Sequence, residues 1–123
     1  MTNYIVEKLD DEELPVPSAW RASLKQIADE LIAGRIPVMQ NIKAISPETI
    51  EINNGNIDGY PDKIGPLHEV TWGSSIYTWT DGHWEVLLDL STSEFETSDL
   101  VLHLKVHPIG DQFEFEPGII YVP

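Results

Sequence analysis

A chain of 123 residues, 41% hydrophobic and 9% aromatic, has the length of one ordinary domain and enough apolar material for a core, which excludes overall disorder and a second independent core. Its 21 acidic residues against 7 basic ones give a formal net charge of -14, which repels phosphate backbones and anionic membranes and attracts cationic proteins, although acidity also serves plain solubility. The absence of cysteine removes disulfides and thiolate chemistry, no run of about 18 apolar residues is long enough to span a bilayer, and the N-terminus carries no export pattern, so a cytoplasmic protein is expected.

Residues 1–17 carry Glu7, Asp10, Asp11, Glu12 and Glu13 against Lys8, interleaved with Tyr4, Ile5, Val6, Leu9 and Leu14, and read as an acidic arm or a docked edge segment. Pro15 and Pro17 end that segment. Ser18 is a suitable N-cap, and Trp20, Leu24, Ile27, Ala28, Leu31 and Ile32 then recur at helical spacing until Gly34 stops the pattern. A helix is predicted over 18–33. Residues 36–39 read as a short extended piece interrupted by Pro37. Ser46 followed by Pro47 signals a second helix start. Thr49, Ile50, Ile52, Asn53, Asn54 and Gly55 combine β-branching with poor helix formers, so this helix is expected to last about two turns, with 53–66 as a connector and the helical part ending near 60.

From residue 67 the hydrophobic period changes to two. Stretches 72–79 and 84–90 flank an Asp81-Gly82 pair, a strong signal for a tight hairpin. Trp84, Val86, Leu88 and Leu90 share one face of the second strand, while Glu85, Leu87 and Asp89 share the other. In the third strand Leu100, Leu102, Leu104 and Val106 oppose Val101, His103, Lys105 and His107. A turn at 108–111 leads to Phe113 and Phe115 alternating with Glu114 and Glu116, and Pro117-Gly118 bends the last strand. The expected fold is a single α+β domain over 1–123, with an N-terminal helix and a short second helix packed on one face of a four-stranded antiparallel meander.

Motifs for chemistry are missing: there is no nucleophile elbow, phosphate loop, dinucleotide fingerprint or helical zinc motif. His103 and His107, four residues apart on a strand, lie about 13 Å from each other, as do Glu85 and Asp89, beyond the roughly 5 to 9.5 Å that paired catalytic carboxylates require. His83 sits at the hairpin turn, and His68 lies in a loop beside Glu69 with little to suggest a metal. No catalytic residue, metal or cofactor is expected. Trp20 is read as core, and Trp72, Trp79 and Trp84 as hairpin packing. Residues 64–123 hold ten acids against Lys105 alone, and Phe95 stands as a lone aromatic in the polar stretch 91–99. Glu85, Asp89, Glu94, Phe95, Glu96, Asp99, Glu114 and Glu116 are therefore the candidate partner-binding residues, presenting an acidic surface with an aromatic anchor.

The pattern W-x-x-S-x-x-x-W-x-x-G-x-W-x-V-L-x-D-L over 72–90, with Ser98-Asp99-Leu100-Val101-Leu102 and a terminal Tyr121-Val122-Pro123, resembles a family of small bacterial proteins classed as a domain of unknown function. In that family a helix beginning near a Pro-x-x-Trp segment, here 17–20, precedes the strands, and the likeness implies no activity. Around 50–68 the chain departs from that pattern, which has a longer helical stretch there. In length, acidity and lack of motifs the chain is also similar to bacterial immunity proteins, including those of contact-dependent growth inhibition. This second likeness is one of type, not of motif. It implies a non-enzymatic inhibitor of a cognate basic toxin domain, for example a nuclease. The alternatives are a small ligand-binding or enzymatic domain with a helix–sheet pocket, favoured if His68 or Tyr77 points inward, and a housekeeping interaction protein.

Overall fold

In the computed structural model, which describes residues 6–10 and 12–123, the period-two stretch becomes an antiparallel sheet. It has five strands, one more than the sequence suggests: β1 (Leu14–Pro15), β2 (Ile76–Thr80), β3 (His83–Ser91), β4 (Thr97–Ile109) and β5 (Gln112–Tyr121), side by side in chain order. The extra strand comes from the N-terminal segment. Leu14 and Pro15 pair with Tyr77 and Ile76, and Asp10 bridges Trp79, so the described part of residues 1–17 is a docked edge segment. Its Val6 and Val16 are buried, and the Glu7 carbonyl accepts the Trp84 indole N–H at 2.9 Å. The part of the acidic arm at 1–5 and 11 lies outside the described residues.

The turns follow residue chemistry. Asp81 and Gly82 have φ of +54° and +83°, the signature of the tight two-residue turn matched to strand twist. The β4–β5 hairpin turns on Gly110 and Asp111 alone. Pro108, expected in that turn, is instead the strand residue paired with Phe113. Between Leu102 and Leu104 the β4–β5 register slips as a bulge at Gly118. A Cβ there would lie 2.8 Å from the His103 carbonyl oxygen, so the close approach of the two backbones requires glycine.

Helix α1 (Ser18–Ile32) buries Trp20, Leu24, Ile27, Ala28 and Leu31 against the inner face of the sheet. Its N-cap is Pro17 with no side-chain cap bond, so Ser18 is the first helical residue and not the cap. At the far end Gly34 N–H bonds the Leu31 carbonyl and Arg35 N–H the Glu30 carbonyl, which closes the last turn. Trp20 is fully buried, edge-on to Tyr77, Trp84 and Phe113 at 5.3 to 5.5 Å. The stretch 36–39 forms no strand.

Helix α2 (Pro47–Asp58) starts as expected, with the Ser46 side chain accepting the Thr49 N–H. It does not end after two turns: it continues through Asn53, Asn54 and Gly55 to Asp58. The reason is tertiary. Asn53, 1% exposed, donates its amide to the Gly118 carbonyl at 3.1 Å and accepts the Ile120 N–H at 2.8 Å, and Asn56 donates to the Ile120 carbonyl at 2.7 Å. Poor helix formers are retained because their amides complete the edge of β5. Residues 41–43 cover the other half of that edge, exchanging backbone bonds with Phe115. The β5 edge is thus covered, and the face opposite the helices stays open.

Candidate functional site

The eight candidate residues fall into two groups. Glu85, Glu114 and Glu116 lie on the open face toward the hairpin end, where Glu85, Lys105 and Glu116 stand directly opposite one another across three strands. Lysine and histidine side chains accompany them. Glu85 Oε1 is 3.4 Å from His103 Nε2 and 3.8 Å from His83 Nε2, and Lys43 Nζ lies 3.9 Å from Glu114 and 3.8 Å from Glu116. The Glu116 carboxylate accepts from His107 Nε2 at 2.7 Å. That hydrogen bond holds the Glu116 carboxyl below its ordinary value, with Lys43, His107 and Lys105 adding to the effect and burial opposing it. His83 and His107 rings pack at 5.6 Å, and His83 Nε2 is buried without a hydrogen-bond partner among the described residues. This half of the face is a charge-compensated ladder.

Asp89, Glu94, Phe95, Glu96 and Asp99 gather at the opposite end, around the connection between β3 and β4. Three adjoining grooves meet there, of about 330, 600 and 520 Å³, sharing Pro61, Thr97, Asp99 and Val122 along their borders. Their charged lining is Asp62, Asp89, Glu94, Glu96 and Asp99 against Lys63. Asp89 accepts the Ser74 hydroxyl, and its backbone N–H bonds the Ser75 hydroxyl at 2.9 Å.

The connection is tightly built. Thr92 Oγ1 accepts the N–H groups of Glu94 and Glu96 at 3.3 and 3.2 Å, Thr92 N–H bonds the Glu96 carbonyl at 2.8 Å, and Phe95 N–H bonds the Thr92 carbonyl at 3.1 Å. From outside, Lys63 and Gly65 exchange backbone bonds with Ser93 and Ser91, and Ile64 bridges Thr92. Within this frame Phe95 adopts a φ of +66°, a left-handed conformation costly for an aromatic residue, and remains 65% exposed. Among the described residues its one aromatic neighbour is His68, 5.1 Å away. The structure therefore presents Phe95 on a hydrogen-bonded loop, flanked in sequence by Glu94 and Glu96.

His68 caps the short 3-10 turn Glu69–Gly73, its Nδ1 accepting the Val70 N–H, and stays exposed. Tyr77 does point inward, 4% exposed, where Trp20 fills the space beside it and burial pushes its phenol above the ordinary value. Trp79 and Trp84 pack together on the inner face beneath Lys8, and Trp72 lies under Arg21, so none of these rings joins the acidic grooves. Among the described residues no three His, Asp or Glu side chains are grouped to hold a metal ion, and no helix is long and apolar enough to cross a membrane.

Sequence reasoning missed Thr92, Tyr60 and Tyr121. A threonine two residues ahead of a loop N–H is a local turn-forming signal and was available at Thr92. Tyr60 and Tyr121 meet only through the fold. No curated protein and no solved structure matches the chain. Residues 25–123 match the family described as Domain of unknown function (DUF7668), so the match takes in the second half of α1, all of α2 and β2 to β5, and with them every candidate residue. The chain belongs to this domain family of unknown function.

Proposed function

We propose that this protein binds a basic protein partner through its β3–β4 end, and that the partner is a bacterial toxin domain which it neutralises as an immunity-type inhibitor, without turnover. The observation that carries the reading is Phe95, an exposed aromatic held in a strained conformation between Glu94 and Glu96, in the connection whose flanking grooves are lined by Asp62, Glu94, Glu96 and Asp99. A hydrophobic ring on a rigid loop loses little entropy on binding, and surrounding carboxylates complement a cleft of lysines and arginines such as a nuclease uses for phosphate. The net charge of -14 steers such a partner toward the chain before contact. Glu85, Glu114 and Glu116 contribute to that long-range field, and the docking contact itself falls to the other five.

The test is co-expression with the C-terminal domain encoded by the gene immediately upstream. Rescue of a naive host from growth arrest, with a complex that co-purifies, is the expected result. Reversing Glu94, Glu96 and Asp99 together to lysine should weaken that complex by about 2 to 5 kcal/mol. A harmless upstream product, or a complex indifferent to the triple reversal, would overturn the reading.

A further inference from the structure

We propose that the groove between the C-terminal end of α2 and the ends of β4 and β5 receives a single cationic side chain of the partner, arginine in preference to lysine. The proposal rests on the docking reading above for the source of that cation and assigns the pocket it enters.

The groove, about 600 Å³, has Leu100 and Val122 as apolar lining, Tyr60 and Tyr121 contributing rings, and Asp99 at its border. Gly55, Asn56 and Gly59 bring the last turn of α2 into the same wall. A helix C-terminus carries a partial negative charge from its aligned carbonyls. The last turn of α2 holds no basic residue to offset it and ends on Asp58. Asp99 N–H donates to the Tyr60 hydroxyl at 3.0 Å, which fixes that ring in place. Phenol rings present a negative face to a cation within about 6 Å. No lysine or arginine lines the groove. Helix end, carboxylate and rings therefore all favour a positive guest, from three chemically separate sources. Arginine fits better than lysine because its guanidinium is planar, weakly hydrated and stacks on aromatic rings while its hydrogen-bond donors remain free for the carboxylate and helix carbonyls. An uncharged guest gains only the apolar contacts, and an anion meets repulsion on every side.

The experiment titrates acetyl-Gly-Arg-Gly-amide into the full-length ¹⁵N-labelled chain and follows backbone amide shifts, with the isosteric citrulline peptide as the uncharged control. Saturable shifts at Asn56, Gly59, Tyr60, Asp99, Tyr121 and Val122 are expected with arginine and not with citrulline. Asp99→Asn should weaken the arginine titration by about two- to fivefold. Tyr121→Leu should weaken it while leaving the melting temperature of the protein close to the parent's, since Tyr121 is a half-buried residue at the end of β5. Equal shifts with citrulline, or unsaturating shifts spread over the whole acidic surface, would overturn the assignment. Because no partner is needed, the two readings separate. Arginine-specific binding without toxin rescue removes the docking reading alone, whereas a toxin complex unaffected by both substitutions removes the groove alone.

Discussion

Phe95 is where the backbone and the proposed docking contact oppose each other. Its left-handed φ of +66° costs about 1 kcal/mol for a residue with a Cβ. Phe95→Gly should therefore leave stability unchanged or raise it by up to about 1 kcal/mol in urea unfolding, while removing partner binding. A destabilised glycine variant would mean that the ring serves packing against His68. Glu116 gives a pH signature of its own. Its folded value lies below the ordinary one, so its contribution to stability is complete above the usual carboxylate range and is lost as pH falls through the lowered folded value. Glu116→Gln should flatten the acid limb of a stability–pH curve, read by thermal melting at a series of pH values, by lowering the neutral plateau while the two proteins converge at low pH.

At the scale of elements, the contrast between α1 and α2 shows what the sequence discloses. Helix α1 was legible because its apolar stripe from Trp20 to Leu31 is a local pattern with one period. Helix α2 was legible only at its start, since Ser46 and Pro47 are local signals, whereas its second half depends on bonds from Asn53 and Asn56 to a strand more than sixty residues away. Propensity argued for a stop there, and edge satisfaction outweighed it. Asn53→Ala should cost about 2 to 4 kcal/mol, because the Gly118 carbonyl and the Ile120 N–H are both left unpaired. Calorimetry gives the loss, and faster hydrogen exchange at Ile120 locates it. Gly118→Ala, which brings a methyl against the His103 carbonyl, should cost about 1 to 3 kcal/mol by the same measurement.

For the whole molecule, charge governs encounter more than grip. Association with a basic partner should slow about tenfold or more between low and high salt in stopped-flow, with dissociation nearly constant. A salt-insensitive rate would detach the net charge from recognition. The candidate site was legible in part at this scale as well. Composition marked the acidic half, and alternation put Glu85, Glu114 and Glu116 on one face, but only strand register reveals that Lys105 and the three histidines interleave with them. The order of assembly is a further consequence of the meander. Strands β2 to β5 join neighbours through short turns, so that part is low in contact order and zips together early. The segment carrying Glu7, Asp10, Leu14 and Pro15 must close loops of roughly sixty to eighty residues to reach Ile76, Tyr77, Trp79 and Trp84, a slower search in chain entropy. The stretch synthesised ahead of the rest of the described chain is thereby among the last to find its place, and until it does, one edge of the sheet stands open to other chains.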